Sequence, residues 1–271
     1  MRTKITLLLS ITALLFGSSA FLWPKKTTIT PPGTFEVSDN FYCDETVTTN
    51  FDWLEYTTWL ERVYGKESEK YKAAIPNSDV WGEEFICLLQ LRKHYANHPA
   101  YRDYPVIGIS QQQAEDYLKW RSDRVMQYFL VKRKVIEFNN DTTPESIFTI
   151  EKYFAGEYQN TAPHKRYMQY PVYSLPTPEQ YLDISSSYNV YTDSLPKIPC
   201  YFDSLRAIPL HPNPKGVDFA DKLSEWTSKP NTIVGNNWRK PQGEIVNSSK
   251  KATNYIGFRA ICTWRTFKSQ N

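Results

Sequence analysis

Apolar and polar positions alternate along one short run of this chain and recur at helical spacing along several others. Residues 41–48 (FYCDETVT) are β-branched and alternating, which predicts a strand. Phe51, Leu54, Trp59, Leu60 and Val63 then recur at helical spacing, with Asn50 placed to cap the helix. Residues 83–95 read as weakly helical. Ser110 precedes QQQAEDYLKW, where Ala114, Tyr117, Leu118 and Arg121 fall on one helix face, so Ser110 is the expected N-cap. Thr177, with Gln180 at the box position, marks the start of another short helix. Between these, residues 126–172 show little conventional core. They carry VKRK, an Asn139-Asn140-Asp141 turn and tyrosines at 153, 158, 167 and 170, a composition that favours contact surfaces over interiors. This segment is expected to be an exposed insertion that binds a partner.

The chain ends change the picture more than its bulk composition does. Arg2 and Lys4 precede a charge-free apolar run at 5–23, and Ser18-Ser19-Ala20 supplies the small residues of a cleavage site. Residues 1–23 therefore read as a signal peptide or an N-terminal membrane anchor, with membrane contact through 5–23 if uncleaved. The implied location is extracytoplasmic, in the periplasm or associated with an outer membrane. Residues 24–30 are a polar tether, and no linker divides 31–271, which reads as one domain. With 32 basic against 29 acidic residues there is no electrostatic footprint for nucleic acid. Cys43, Cys87, Cys200 and Cys262 are an even set in an exported chain. Disulfides are allowed in three connectivities, and four buried thiols are equally allowed. No C-x-x-C supports zinc or redox chemistry. His94 and His98 stand at i, i+4, but neither HExxH nor a placed carboxylate accompanies them, so they read as a helix exit, not a metal site.

Residues 213–238 (NPKGVDFADKLSEWTSKPNTIVGNNW) and Ile256-Gly257-Phe258-Arg259-Ala260 set three glycines beside large aromatics, where a backbone must turn or pass close to a ring. Together they resemble the closing part of the formylglycine-generating-enzyme, or sulfatase-modifying-factor, domain. Asn213, Gly216, Asp218, Glu225, Trp226, Gly235, Trp238, Gly257, Phe258 and Arg259 hold that pattern as structural residues. Pro32-Gly33-Thr34-Phe35, residues 104–120 and residues 173–181 are similar to further blocks of it. Trp120-Arg121-Ser122-Asp123-Arg124-Val125 narrows the likeness to the non-catalytic gliding-motility and secretion-associated lipoproteins of the family. The resemblance implies an α+β fold of the C-type-lectin-like type, rich in loops and short strands.

It implies less about chemistry. The copper-binding thiols of active members fall here on Lys240 and Ile245, which cannot ligate Cu(I). The calcium-type segment is degenerate, with Asp221, Lys222 and Glu225 at its positions, and lysine opposes a hard cation. No catalytic residue and no cofactor is expected; calcium is the one ion with a vestigial site, where the Lys222 ammonium either replaces it and pairs with Glu225 or Asp218 or simply points into solvent. Arg259, inside an apolar run, is expected to turn inward onto Asp218 or Glu225. The implied function is a structural or binding component of the cell envelope, in a gliding-motility or protein-secretion type assembly, with envelope proteins as partners through 126–172. Two alternatives stay open: a metal-dependent oxidase or sulfatase-modifying enzyme with an unrecognised site, and a lectin-like glycan or ligand binder.

Overall fold

A computed structural model describes residues 29–82, 86–139, 143–187, 223–235, 237, 246–247 and 252–268. They form a mixed α+β arrangement with two small open sheets. β1 (Thr34–Ser38) turns at Asn40, which takes positive φ, into β2 (Phe41–Asp44). The predicted strand ends at Asp44, earlier than expected, because the Glu45 N–H turns back to the Gly33 carbonyl and Thr48 joins Phe258 instead. β2 pairs with β8 (Ile261–Thr266), and β8 with β3 (Gln169–Ser174), giving an antiparallel sheet in the order β1-β2-β8-β3. In the second sheet β4 (Ser224–Trp226) pairs antiparallel with β5 (Thr232–Val234) and parallel with β7 (Ile256–Gly257). β6 (Val246–Asn247) closes the order β6-β5-β4-β7.

Helix starts follow local side-chain chemistry. α4 (Gln111–Lys132) is capped by Ser110 in a box with Gln113, as its sequence predicts. α6 (Pro178–Ser187) begins after Thr177, whose N–H and hydroxyl both bond Gln180. For α1 (Asn50–Tyr64) the cap is Thr49, not Asn50, because Asp52 stands where it completes a box with Thr49. Asn50 is buried instead, and its carboxamide donates to the Tyr95 and Tyr101 carbonyls at 3.1 and 2.9 Å. α2 (Glu69–Ala74), α3 (Ile86–His94) and α5 (Ile150–Ala155) are short. No described helix is long and apolar enough to cross a membrane. The segment at 1–28 lies outside the described residues.

The main core joins α1 and α4 to both sheets. The Trp53 ring stacks on Tyr117 at 5.4 Å, and Phe258 meets both edge-on at 6.1 and 5.6 Å. Trp226 and Phe258 are fully buried, so these two aromatics are packing anchors. Trp226 sends its indole N–H to the Ile109 carbonyl. Glycine serves this core at two places. Gly235 has φ +85°, and a Cβ there would come within 2.7 Å of the Tyr181 hydroxyl. At Gly257 the approach is close without a positive φ: a Cβ would press the Leu223 side-chain methyl at 2.6 Å and the Val106 carbonyl at 3.3 Å, an aliphatic and backbone contact where the sequence suggested an aromatic one.

The reading of 126–172 as an exposed insertion is corrected. α4 continues unbroken to Lys132, and Met126, Leu130, Ile136, Phe148, Tyr153, Phe154 and Tyr158 form a buried cluster of their own. Phe267, from the far end of the chain, stacks on Phe154 at 4.2 Å. Tyr153 and Tyr158 are core, and Tyr167 and Tyr170 pack half-buried against them, because short pieces from distant positions cover the cluster, and no periodicity within the segment reports that.

Candidate functional site

Four consecutive residues of α4 fasten four other parts of the fold. Arg121 donates Nη1 and Nη2 to the two oxygens of Asp44 at 2.7 and 2.9 Å, lies 4.2 Å over the Tyr173 ring, and reaches the Pro32 carbonyl. Asp44 also accepts the Ala260 N–H at 3.0 Å, so β2, α4 and the residue that leads into β8 meet on one carboxylate. Burial would lower the Arg121 pKa, yet the facing Asp44 carboxylate outweighs it and holds the guanidinium charged. Ser122 accepts the Tyr173 N–H at 3.0 Å. Asp123 accepts the Ile150 N–H at 2.9 Å, at the start of α5. Arg124 donates to the Phe148 carbonyl and sits over the Trp59 ring.

A second buried pair ties β4 to the segment between β7 and β8. Arg259 turns inward, and its Nε and Nη2 donate to the Glu225 oxygens at 2.7 and 2.8 Å. The two side chains are 1% and 0% exposed. Burial depresses the Arg259 pKa, but Glu225 more than restores it and raises it above the ordinary arginine value. Of the residues expected at the calcium-type site, Glu225 thus faces Arg259, while Asp218, Asp221 and Lys222 lie outside the described residues. So do Asn213, Gly216, Trp238, Lys240 and Ile245.

Between α4, β3 and the start of α5 runs a cleft of about 400 Å³. Its floor is Leu118, Tyr173 and Leu175, and Glu115, Lys119, Asp123 and Glu151 stand around it. β3 is an edge strand, and its open side is blunted. The Tyr173 N–H is taken by Ser122, and Pro171, two residues earlier on the same side, has no N–H to offer. The wall is therefore rich in acceptors and poor in donors. Lys119 reaches Glu151 at 3.5 Å on the exposed rim. Desolvation raises the Asp123 carboxyl to about 6, against the Ile150 N–H that lowers it.

Comparison with family models, curated proteins and solved structures returns no match.

The remaining chemistry-bearing residues are spread apart. His94 and His98 have ring centroids 5.8 Å apart, and the Nδ1 of His98 accepts the Ala100 N–H, the helix-exit role their sequence suggests. Among the described residues no three His, Cys, Asp or Glu side chains gather to hold a metal ion. Cys43 and Cys262 are both free and buried. Cys43 faces Ile261 across the ladder and Cys262 faces Tyr42, so the two thiols point to opposite faces of the sheet. Desolvation pushes both to about 12, where they are inert. The side chain of Cys87 and all of Cys200 lie outside the described residues. Asp44 enters the sequence reading only as part of a strand, and Ser122 and Asp123 only as part of a family-like run; nothing in either pattern announces the bonds they make inward.

Proposed function

We propose that this chain is a non-catalytic binding component of the cell envelope, built on a scaffold of the formylglycine-generating-enzyme type with its C-type-lectin-like α+β fold. One observation carries the reading. The ionisable groups at the heart of the fold are bonded to each other in two bidentate pairs, Arg121 with Asp44 and Arg259 with Glu225, at 2.7 to 2.9 Å. Carboxylates held that way keep a shape and are withdrawn from proton transfer. The family-like residues Glu225, Trp226, Phe258 and Arg259 all serve that framework.

Ligand contact then falls to the α4–β3–α5 cleft. Three carboxyl groups stand there against one lysine, and the wall offers carbonyls but few N–H groups. An extended partner segment with apolar side chains and a terminal ammonium or guanidinium fits that lining. The partner is an envelope protein exposing such a segment, and it docks in the cleft, to which the 126–172 segment contributes Ile150, Glu151 and Tyr170.

Two measurements test this. Purified protein given Cu(I), O₂ and a sulfatase-type cysteine peptide should produce no formylglycine above the metal-only background; turnover overturns the non-catalytic reading. A displayed peptide library selected on the protein should enrich basic residues beside apolar ones, and the enriched peptides should lose binding to Glu151→Lys. Selection without that bias, or binding indifferent to Glu151→Lys, overturns the cleft assignment.

A further inference from the structure

A second concavity, of about 240 Å³, lies further along the same stripe of α4, toward its C-terminal end, and does not depend on the reading above. Met126, Phe129, Leu130 and Trp264 make its apolar wall, and Arg133 and Arg166 stand at its mouth. No carboxylate lines it, and among the described residues neither arginine has a carboxylate partner. Arg121 and Arg259, by contrast, spend their forks on Asp44 and Glu225.

Arg133 is also held in place. Its guanidinium lies 5.2 Å from the Phe129 ring centroid and 5.4 Å from that of Tyr167, and Nη1 donates to the Phe129 carbonyl at 3.2 Å. A guanidinium lodged between two rings keeps its remaining N–H groups in one plane, ready for two oxygens at once. Two other polar groups of the wall are already used. Asn40 bonds the Trp264 backbone in both directions, and the Trp264 indole N–H goes to the Ile29 carbonyl. The two arginines are thus the charged donors that face an incoming ligand, with the Gln169 carboxamide beside them.

We propose that this pocket binds a small oxyanion, a phosphate monoester or a carboxylate, carried on an aromatic or short apolar body. The anion meets Arg133 and Arg166, and the apolar body packs against Phe129 and Trp264. The volume suits one ring with its charged group, since about 150 Å³ is enough to admit benzene into an apolar cavity. Two charge-assisted forks without a competing carboxylate supply the affinity, and the ring wall supplies selectivity over a bare ion.

Isothermal titration with phenyl phosphate, benzoate and inorganic phosphate tests it. At least one of the two ring-bearing anions should bind about tenfold more tightly than inorganic phosphate, and raising the salt should weaken it. Arg166 is exposed, so Arg166→Glu should fold with an unchanged unfolding midpoint and lose about tenfold or more in affinity. Arg133→Lys, which keeps the charge and loses the fork, should weaken binding severalfold. Lys134→Glu, next in sequence and exposed, should leave affinity within about twofold. The proposal is overturned if neither ring-bearing anion binds, if inorganic phosphate binds equally well, or if Lys134→Glu weakens binding as much as Arg166→Glu, which would mean bulk charge attraction.

Discussion

Truncating Arg259 to alanine is expected to be among the most damaging single changes this fold can suffer. The guanidinium is 1% exposed and the Glu225 carboxylate 0%, joined by two hydrogen bonds at 2.7 and 2.8 Å. Removing the cation leaves a carboxylate with no water to solvate it and no counter-charge, beside the fully buried Trp226. Breaking one side of such a pair costs about 3–5 kcal/mol. Glu225→Gln is milder, because an acceptor oxygen remains for one of the two bonds while the charge is lost; about 1.5–3 kcal/mol is expected. The decisive variant is the double change Arg259→Met with Glu225→Leu. It removes both charges and keeps most of the volume, and replacement of a buried pair by apolar groups is often close to neutral. Urea unfolding followed by tryptophan fluorescence, with the slope held constant across variants, gives the three free energies. The double variant should be more stable than Arg259→Ala alone. If the Arg259→Ala midpoint barely moves, or the double variant is no more stable than Arg259→Ala, the cost does not come from an unpaired buried carboxylate and the argument fails.

Three further outcomes follow from the same geometry. Asp123, raised from 3.8 to about 6 by burial, binds its proton more tightly folded than unfolded. Its contribution to stability is therefore present below about 3.8 and lost as pH rises to about 6, at most about 3 kcal/mol. Asp123→Asn should raise stability at pH 7.5 and flatten the dependence between pH 4 and 6; an unchanged pH profile refutes the assignment. In a Cys87→Ser, Cys200→Ser background, Cys43 and Cys262 should react with a thiol reagent at pH 8 only on the timescale of unfolding, and rapid native labelling or a bond between them would show that the sheet does not separate them. Replacing residues 130–168 by a short Gly/Ser linker removes Leu130, Ile136, Phe148, Tyr153, Phe154 and Tyr158 from one buried cluster, so the product should fail to unfold cooperatively. A truncated protein with an unchanged unfolding midpoint would restore the segment as a dispensable surface element.

What the sequence reveals here is what chemistry within a few residues decides. The Ser110–Gln113 and Thr177–Gln180 boxes are legible because cap and partner lie three residues apart. The α1 cap is missed by one position because Thr and Asn both cap well, and the choice rests on Asp52 being spaced for Thr49. Arg259 can be turned inward on paper from its apolar neighbours, and Glu225 is one of the two carboxylates its sequence context offers. The Tyr-rich segment is illegible for the opposite reason. Whether a tyrosine is core or surface depends on what covers it, and Phe267 and Met126, which help cover Tyr153 and Phe154, are not neighbours in sequence. The cleft is invisible for the same reason, since its walls come from α4, β3 and α5.

The run from Trp120 to Arg124 shows why a polar stretch on a long helix can carry more of a fold than its hydrophobic stripe. Successive helical residues point about 100° apart, so a surface helix with one apolar face leaves most such positions in water. Here Arg121 points to β2, Ser122 to the edge of β3, Asp123 to the start of α5, and Arg124 to the Phe148 carbonyl before it. Each contact satisfies a group that burial would otherwise leave costly: the Asp44 carboxylate, the Tyr173 N–H on an open strand edge, and the Ile150 N–H at a helix start. The α4 helix is therefore enclosed around most of its circumference, by the main core on one side and the Phe148–Tyr158 cluster on the other. That enclosure fixes both concavities, because the α4–β3–α5 cleft and the Arg133–Arg166 pocket are flanked by the same helix. A helix held by buried side-chain contacts through its C-terminal half gives both concavities a wall whose shape is set before anything binds, and a pre-set wall costs less to dock against than one that must first be ordered.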